Sequence, residues 1–402
     1  MRDLREIAGT VWNWARERDF RGFDPYDGLK SPLLGLLSFR VRVLRLIAVQ
    51  SVRNCPLNLR RLLLIPPGHN PKGLALFLSG AGYLPEIADA ASRQELQQIL
   101  LSLASKPDGS PAFSKDRRIR QDITPEEVET CEPFGWGYDF PWQGRAFYQP
   151  AWFPTTVCSS FVLDSLETSG SEYYPAAATG VARFVSGSLN VYEDDTGICF
   201  SYSPRDHSKV FNASLFTAKT LVRAAEFDAA NADAYRYRAE QACRYVVSRQ
   251  SADGSWVYGE ADHWQWVDSL HTGFVLEALG YLAAKLGTDE FDEAVSRGLA
   301  YYRQNLFETD WDAKYYSNRK YPLDPHSFAQ GAITFMELAR FSESPEEAAR
   351  GILDRAVECL WDDRRRGFIF RRYSSHSNST VFLRWSQGWM FKALCMYIGG
   401  NR

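Results

Sequence analysis

Apolar segments recur along the chain at a nearly constant spacing, and a more amphipathic segment follows each of them. Four clear copies and one weaker, earlier copy start 58, 55, 58 and 57 residues apart, and each has a small residue at its fifth position. Small residues in one column of a helix let neighbouring backbones approach closely. The copies begin at Thr156, Ser214, Ser269, Ser327 and Arg384, and the small residues are Ser160, Ala218, Gly273, Gly331 and Gly388.

Both kinds of segment carry apolar residues at i, i+3, i+4 and i+7, which predicts α-helices. Amphipathic helices follow Asn231 and Asp292, among others. An apolar helix that alternates with an amphipathic one indicates an inner ring and an outer ring. Two helices in a repeat of about 57 residues favour a closed α/α toroid, because the helical repeats of open solenoids run nearer ~34–47 residues.

A sixth hairpin completes the predicted ring. The segment PKGLALFLSGAGYL, from residue 71, supplies its inner helix, and ADAASRQELQQILLSLASK supplies the outer partner. We therefore predict an all-α fold in two parts. Residues 1–70 form an N-terminal helical extension, and residues 71–402 form an (α/α)6 barrel, or toroid, of helical hairpins.

The composition is that of a chain with a large core and little net charge. Of the 402 residues, 45% are apolar, and 46 basic against 49 acidic side chains leave a formal charge of −3. This balance argues against a general nucleic-acid-binding protein. Seven scattered cysteines without a CxxC pair are typical of free thiols in a reducing compartment. The charged N-terminus lacks the apolar core of a signal peptide, so we predict a cytoplasmic protein.

Residues 31–65 differ from the rest of the chain, because they contain six arginines and no acidic residue. One interpretation is an interfacial helix that lies on an anionic membrane, which predicts peripheral contact with the inner face of the membrane. The other is an outer helix packed on the barrel, whose arginines extend to solvent or pair with acids elsewhere.

The toroid geometry predicts where the chemistry lies. Every inner helix begins at the same end, so the preceding loops converge on one mouth. Helix N-termini favour anionic groups, which suits the mouth to a negatively charged or heavily hydroxylated ligand. Five of the six histidines lie in these loops or in first helical turns, namely His207, His263, His271, His326 and His376.

The third repeat, residues 253–274, is the richest in chemistry-bearing side chains. Asp268 and His271 are three residues apart and therefore share a helix face. Tryptophan rings stack on sugars, while carboxylates and imidazoles bind hydroxyl groups. The alternative is that Asp268 caps the helix and His271 fills a polar pocket between inner helices. The segment carries Glu260, Asp262, His263, Trp264, Trp266, Asp268 and His271.

Two reactions fit the residues of the mouth. Proton abstraction beside a uronate carboxylate needs a His, Tyr or Lys base and a cation that holds the carboxylate. Glycoside hydrolysis needs two carboxylates at a set separation. Proton transfer would use His271 or His326 with Tyr258 or Tyr321, whereas hydrolysis would use Glu260 and Asp268.

Substrate binding is assigned to side chains from several repeats, and no metal or cofactor is expected. Arginine matches carboxylate geometry, so Arg145, Arg205 or Arg384 would hold the substrate carboxylate. The side chains predicted to stack on sugar rings are Trp142, Trp264, Trp266 and Trp385. Further predicted binding residues are Tyr148, His207, Asp262 and His263.

Two resemblances add to this interpretation. The segment RQSADGSW, residues 249–256, resembles the glutamine–tryptophan repeat of squalene and oxidosqualene cyclases, which are also α/α toroids. Residues 130–400 are similar to the six-hairpin toroids of glycosidases, polysaccharide lyases and sugar epimerases. DPHSFAQGAI and WVDSLHTGFVLEAL resemble a bacterial, prenyltransferase-like family carried with polysaccharide-biosynthesis genes. These resemblances imply a toroid and a glycan setting, and they assign no catalytic residue.

We therefore predict a carbohydrate-active enzyme that acts on a polysaccharide or oligosaccharide, an acidic or neutral glycan, with uronic acid favoured. Two alternatives stay open at this point. An isoprenoid cyclase or prenyltransferase-like enzyme would have a deep apolar cavity lined with aromatic rings. A non-catalytic glycan-binding protein would use the same mouth without turnover.

Overall fold

The computed structural model describes residues 2–38, 41–131, 133–145 and 147–400. Their helices are numbered here in chain order. They are α1 Leu4–Arg16, α2 Pro32–Ser38, α3 Arg42–Asn54, α4 Pro71–Tyr83, α5 Ala90–Ser102, α6 Pro125–Glu129, α7 Thr156–Thr168, α8 Tyr174–Ser188, α9 Phe211–Ala224, α10 Ala232–Val247, α11 Ser269–Leu286, α12 Asp292–Asn305, α13 Pro325–Glu337, α14 Pro345–Leu360 and α15 Trp389–Gly400.

Twelve of these helices form two concentric rings, which confirms the predicted α/α toroid. The inner ring is α4, α7, α9, α11, α13 and α15; each packs against the next, and α15 packs against α4. The outer helices are α1, α5, α8, α10, α12 and α14. The outer helix of the last pair is α1, which packs against α15 and shares the common core. The predicted division into 1–70 and 71–402 stays a prediction.

Small residues hold the inner ring together, as the repeat predicts. A Cβ atom on Gly273 would lie 2.8 Å from the Gln330 side chain on the neighbouring inner helix. A Cβ atom on Gly331 would lie 2.4 Å from the Phe307 ring. Larger side chains in this column would push the helices apart, because real Cβ contacts are longer and cores are closely packed.

Short two-stranded sheets and buried tryptophans shape the loops between the rings. Trp256 donates from Nε1 to the Val246 carbonyl at the end of α10, over 2.8 Å, and Trp136 reaches the Leu100 carbonyl in the same way, over 2.7 Å. These bonds fix each loop against the preceding outer helix. The strands are β1 Trp142–Gln143, β2 Tyr148–Gln149, β3 Val191–Asp194, β4 Gly197–Phe200, β5 Trp361–Asp362, β6 Gly367–Phe368, β7 Arg371–Arg372 and β8 Ser377–Asn378, paired β1–β2, β3–β4, β5–β6 and β7–β8.

The described residues of the arginine-rich segment, 31–38 and 41–65, pack over the loops rather than in the outer ring. Helix α3 contacts β1, and the Arg45 guanidinium lies 4.1 Å from the centre of the Tyr148 ring. Aliphatic side chains on α2 and in the segment after α3 are exposed to solvent. Leu36 is 69% exposed and Leu62 is 74% exposed. Within the described residues, none of the helices combines the length and the apolar character that crossing a bilayer requires.

Candidate active site

The inner helices begin at one end of the ring, because an outer helix returns the chain between successive inner ones. Four of them are capped there by polar side chains that accept backbone N–H bonds. Each cap satisfies a donor that has no partner within the helix. The loops and first turns at this end are called the mouth, and the capping residues are Asn70, Thr155, Asp268 and Asp324.

Asp268 caps α11 and also orients His271. One carboxylate oxygen, Oδ1, accepts from the backbone N–H of Leu270 and of His271, both at 2.9 Å. The other, Oδ2, lies 2.7 Å from His271 Nδ1 and accepts from Trp266 Nε1 at 3.0 Å. Asp268 therefore caps the helix, as one alternative predicts, and also contacts His271 on the same helix face, while the predicted functional role of the pair stays a prediction. His271 keeps a side chain that is 30% exposed, and its Nε2 is left for a ligand.

Tyr258 forms a platform beside this pair. Its ring stacks on Trp266 with centroids 5.1 Å apart and meets the His271 ring edge-on at 4.4 Å. Burial raises the pKa of the Tyr258 hydroxyl above its usual value, and the charge of Asp268 adds to the effect. The phenol therefore stays protonated at neutral pH and can donate a hydrogen bond, which does not favour its use as a base.

His326 lies deeper in the mouth, in the first turn of α13. Its ring stacks on Trp389 at 4.1 Å and meets Trp385 edge-on at 4.8 Å. Neither ring nitrogen has a hydrogen-bond partner among the described residues. Burial and the charges of Lys72 and Arg384 hold the pKa of His326 well below its usual value. The imidazole is therefore neutral, and buried polar atoms without a partner are uncommon outside functional sites.

Asp324 is the second aspartate cap, and it is fully buried. It accepts from the backbone N–H of His326 at 3.0 Å and from Arg371 Nε at 2.7 Å. Trp385 Nε1 donates to the same carboxylate at 2.9 Å. This network sets the position of Trp385 beside His326, so Trp385 is a wall of the site that presents its edge rather than a free stacking face.

Arg384 is neutralised by a carboxylate from the N-terminal part of the chain. Its guanidinium makes a two-pronged ion pair with Asp24, at 2.6 and 2.8 Å. A similar pair joins Lys30 to Asp139 at 2.9 Å. A substrate carboxylate would therefore have to compete with Asp24 for Arg384, and the predicted substrate-binding role of Arg384 stays a prediction. Arg371 binds Asp324 through Nε, but its buried Nη2 has no hydrogen-bond partner among the described residues.

Glu260 lies away from the His271 pair, in an ion-pair cluster that ties its loop to the outer helix α10. It accepts from Tyr245 at 2.5 Å and from Arg249 Nε at 2.9 Å, and it pairs with Lys209. Burial opposes ionisation, but the hydrogen bonds from Lys209, Tyr245 and Arg249 hold the pKa of Glu260 below its usual value. A carboxylate with a lowered pKa is a poor general acid, so this geometry does not favour the predicted Glu260–Asp268 hydrolytic pair.

The remaining predicted residues lie around the rim. Trp264 is buried and meets Tyr258 edge-on at 5.5 Å. Trp142 contacts the Tyr202 ring at 5.9 Å, and the exposed Arg145 reaches the His263 carbonyl at 3.4 Å. The ring of Tyr148 is covered by Arg45, as described above. The exposed rim residues are Arg205, His207, Asp262, His263 and Tyr321.

Lys72 is the main residue of the site that the sequence did not single out. It occupies the first turn of α4, and its ammonium lies 3.8 Å from the centre of the Phe161 ring. The one available signal was a lysine inside an otherwise apolar helix. Asp24 and Tyr26 were also missed, because they lie in a segment without repeat periodicity. Tyr26 meets the Trp385 ring at 5.5 Å.

The opposite end of the inner ring holds a cavity of about 210 Å³, which we call the charged cavity. Asp164 there accepts from Lys392 Nζ at 2.7 Å and from Arg223 at 2.9 Å, with Lys219 Nζ at 3.9 Å. Glu277 accepts from Thr334 at 2.5 Å. Burial raises the pKa of Glu277 to about 8, so this carboxyl group is protonated at neutral pH.

No grouping of three or more His, Cys, Asp or Glu side chains in the described part of the chain is arranged to hold a metal ion. The expectation of a site without metal or cofactor stays a prediction.

No protein-family model matches the chain, and no curated protein matches its sequence. Solved structures of similar fold exist. Cellobiose 2-epimerase from Bacillus thermoamylovorans B4167 has a TM-score of 0.59 at 8% identity, over 84% of this chain and 90% of that chain. A sugar epimerase from a ruminal bacterium scores 0.58 at 10% identity, over 84% and 90%. An unsaturated glucuronyl hydrolase specific for heparin scores 0.54 at 12% identity, over 84% and 88%. At these identities the similarity shows the fold, an α/α toroid.

Proposed function

We propose that the protein is a carbohydrate-active enzyme that moves a proton at a carbon next to a sugar carbonyl, as an epimerase or isomerase does. The observation that carries the proposal is the Asp268–His271 pair. A carboxylate bound to Nδ1 fixes the tautomer of an imidazole and stabilises its protonated form, which equips Nε2 as a base.

A second imidazole lies near the first. His271 and His326 both contact the Phe274 ring, with centroids 6.0 and 6.1 Å away. His326 is neutral, and neither of its nitrogens is engaged, so it can accept or deliver a proton. In this mechanism His271 removes the proton from the substrate carbon, Asp268 stabilises the resulting imidazolium, and His326 serves the opposite face of the sugar.

The charge of the mouth favours a neutral sugar over a uronate. Its buried arginines, Arg371 and Arg384, already hold Asp324 and Asp24. A substrate carboxylate would have to share these guanidinium groups with Asp24 and Asp324, although Nη2 of Arg371 has no partner among the described residues. The toroids of similar fold include two described as sugar epimerases, which supports a sugar substrate at the mouth.

The test is exchange of substrate hydrogen with solvent. The protein is incubated in D2O with cellobiose, and separately with a uronate-terminated oligosaccharide, and NMR follows deuterium at the carbon beside the carbonyl. We expect exchange and an epimeric product with the neutral sugar. His271→Ala should lose the exchange, and the rim variant His207→Ala should keep it.

The outcomes separate the alternatives. An exchange rate unchanged in His271→Ala contradicts the assigned base. An unsaturated product indicates a lyase, and new reducing ends indicate a hydrolase. Binding of the sugar without any exchange favours the non-catalytic glycan-binding protein.

One observation favours the isoprenoid alternative, namely the aromatic floor of the mouth. Phe161, Phe274 and Trp389 lie within 5.7 Å of one another, and such rings stabilise carbocations. The side chain of Lys72 already ends between these rings, which weighs against this function. A rise in melting temperature with geranylgeranyl diphosphate but not with cellobiose would reverse that judgement.

We further infer that residues 31–65 contact an anionic membrane peripherally. Exposed leucines on α2 and on the segment after α3 lie beside an apolar groove of about 470 Å³. A neighbouring groove contains Arg21, Arg61 and Arg364, which have no acidic partner among the described residues. A surface of exposed leucines flanked by arginines is suited to the bilayer interface, because leucines can contact the acyl chains while arginines contact the lipid phosphates.

Vesicle flotation tests this contact. The wild type should float with phosphatidylglycerol vesicles and not with phosphatidylcholine vesicles. Leu36→Asp with Leu62→Asp should abolish flotation, while the matched outer-ring variant Tyr237→Asp should not. Equal flotation of all variants would contradict the assignment of the surface.

A further inference from the structure

Lys72 is a buried lysine on the inner ring, at the base of the mouth. Only 3% of the Lys72 surface is exposed to solvent. Three aromatic rings surround its ammonium group, with Nζ 3.8 Å from the centre of Phe161, 5.1 Å from Phe274 and 5.2 Å from Trp389. Because α4 begins at Pro71, this side chain enters the ring from the mouth end.

Carboxylates form ion pairs with other lysines of the inner ring, but among the described residues none lies within ion-pair distance of the Lys72 ammonium, and the nearby Asp24 is held by Arg384. Lys392 and Lys219 lie 2.7 and 3.9 Å from Asp164. Among the ion pairs and hydrogen bonds of the described residues, the Lys72 ammonium takes part in none. Aromatic faces attract a cation only weakly compared with the loss of water around it.

Loss of hydration without an ion-pair partner increases the fraction of this amine that is uncharged. Burial, reinforced by the charge of Arg384, holds the pKa of Lys72 well below its usual value. A lysine that is desolvated in an apolar pocket is an activated nucleophile, because the free amine rather than the ammonium attacks a carbonyl carbon.

The amine shares its surroundings with both proposed proton-transfer groups. Phe274 contacts the Lys72 ammonium, His271 and His326, and Trp389 contacts the ammonium and His326. A sugar that reaches the aromatic floor thus meets one amine and two imidazoles around a single ring.

We propose that Lys72 forms an imine with the aldehyde of an open-chain sugar, so that the substrate is a saccharide with a free reducing end. This rests on the proposed function. The Nζ lone pair attacks C1, one proton passes from Nζ to the aldehyde oxygen and a second comes from solvent, and the oxygen leaves as water while the protonated C1=N bond forms. The protonated imine withdraws electrons from C2, so His271 can take the C2 proton and leave an enamine. A proton then returns to C2, and water hydrolyses the imine to release the aldehyde and the free amine.

Reductive trapping tests the imine. The full-length protein is incubated with cellobiose and sodium cyanoborohydride, which reduces an imine to a stable secondary amine, and peptides are analysed by mass spectrometry. We expect Lys72 to carry the disaccharide at an occupancy at least ten times that of any other lysine. Cellobiitol, which has no aldehyde, should leave the peptide unmodified. Equal or lower occupancy at Lys72 than at surface lysines would overturn the proposal.

Two variants keep the result interpretable. Lys72→Met should lose the adduct and the solvent exchange of the substrate, yet melt at a higher temperature, because an uncompensated buried amine is removed. Lys219→Met, a matched inner-ring lysine from the charged cavity, should keep both the adduct and the exchange. Lys72→Met with unchanged exchange would refute the covalent step and leave the proposed function standing. Absence of exchange with every sugar would refute the proposed function, whether or not Lys72 is labelled.

Discussion

The two ends of the inner ring bury charge in opposite ways. In the charged cavity each lysine and arginine lies near a carboxylate, and Asp164 alone serves Lys392, Arg223 and Lys219. At the mouth, the Lys72 ammonium lies against aromatic rings without an ion-pair partner, and both nitrogens of His326 lack a partner, among the described residues. The cations of the charged cavity are thus paired with carboxylates, whereas the mouth retains an amine and an imidazole without such partners.

Within one fold, buried charges that stabilise the structure are thus separated from buried polar groups that can take part in a reaction. Paired buried ions hold helices in register, and breaking such a pair is costly. Unpaired polar groups destabilise the folded state and persist where a ligand uses them. The mouth, not the charged cavity, is therefore where substitutions should alter turnover more than stability.

The largest expected effect is on turnover, in Asp268→Asn. Asparagine still caps α11, because it is as good a cap as aspartate, but it removes the carboxylate that holds His271 Nδ1. We expect substrate exchange to fall about 10²–10⁴-fold, as for loss of a general base, with the melting temperature nearly unchanged. Exchange in D2O and a thermal melt measure the two quantities. A large fall in stability with normal exchange would assign Asp268 to the cap alone.

Asp164→Asn should act on the other end of the ring. It leaves Lys392 and Arg223 buried without full compensation, so the free energy of unfolding should fall by about 3–5 kcal/mol. Urea denaturation measures the change. The surface variant Asp233→Asn should shift stability by less than about 0.5 kcal/mol. Exchange per folded molecule should match the wild type, and a loss comparable to that of Asp268→Asn would erase the contrast between the ends.

The pH dependence of stability should differ in sign between the ends. The raised pKa of Glu277, about 8, makes its contribution greatest below its unfolded value and lost as pH rises through 8. The lowered pKa of His326 costs stability as pH falls below its unfolded value near 6.5, because only the unfolded chain takes up the proton. Each effect is bounded by about 1.4 kcal/mol per pH unit.

Two variants measure separately how Glu277 and His326 contribute to the pH dependence of stability. Relative to Glu277→Gln, the wild type should become less stable from pH 5 to 8. Relative to His326→Gln, it should become more stable from pH 5 to 7. Denaturation at several pH values measures both differences, and curves that run parallel to the wild type in both variants would be evidence against the assigned protonation states.

The smallest expected effect is that of Glu260→Gln. The ion-pair cluster with Arg249 and Lys209 is partly exposed, so its loss should cost about 1 kcal/mol or less. Substrate exchange should change less than about twofold, since chemistry is assigned to His271. Both are measured as above. A fall in exchange as large as that of Asp268→Asn would restore the hydrolytic pair Glu260–Asp268.

The sequence repeat predicted the α/α toroid, whereas the sequence predicted only part of the candidate active site. The repeat spacing and the small residue at the fifth position of each copy predicted the inner helices. These small residues recur because a Cβ atom at Gly273 or Gly331 would clash with a neighbouring side chain. The pairing of Asp268 with His271 followed from helical periodicity. The Arg384–Asp24 ion pair did not, since its partners are 360 residues apart, and long-range pairing leaves no local pattern. Lys72 was hidden because its burial depends on rings from three other helices.

The closure of the ring by its first and last helices has a consequence for how the molecule comes apart. Trp12 of α1 stacks on Phe391 of α15 at 5.6 Å, and Phe391 stacks on Phe77 of α4 at 5.1 Å. A linear array of hairpins frays from its ends, whereas here the two ends form one seam and neither hairpin at the seam has a free side. Opening the ring anywhere therefore requires breaking a packed interface, and loss of α1 would remove Trp12 from the seam and leave Phe391 and Phe77 without that stacking partner.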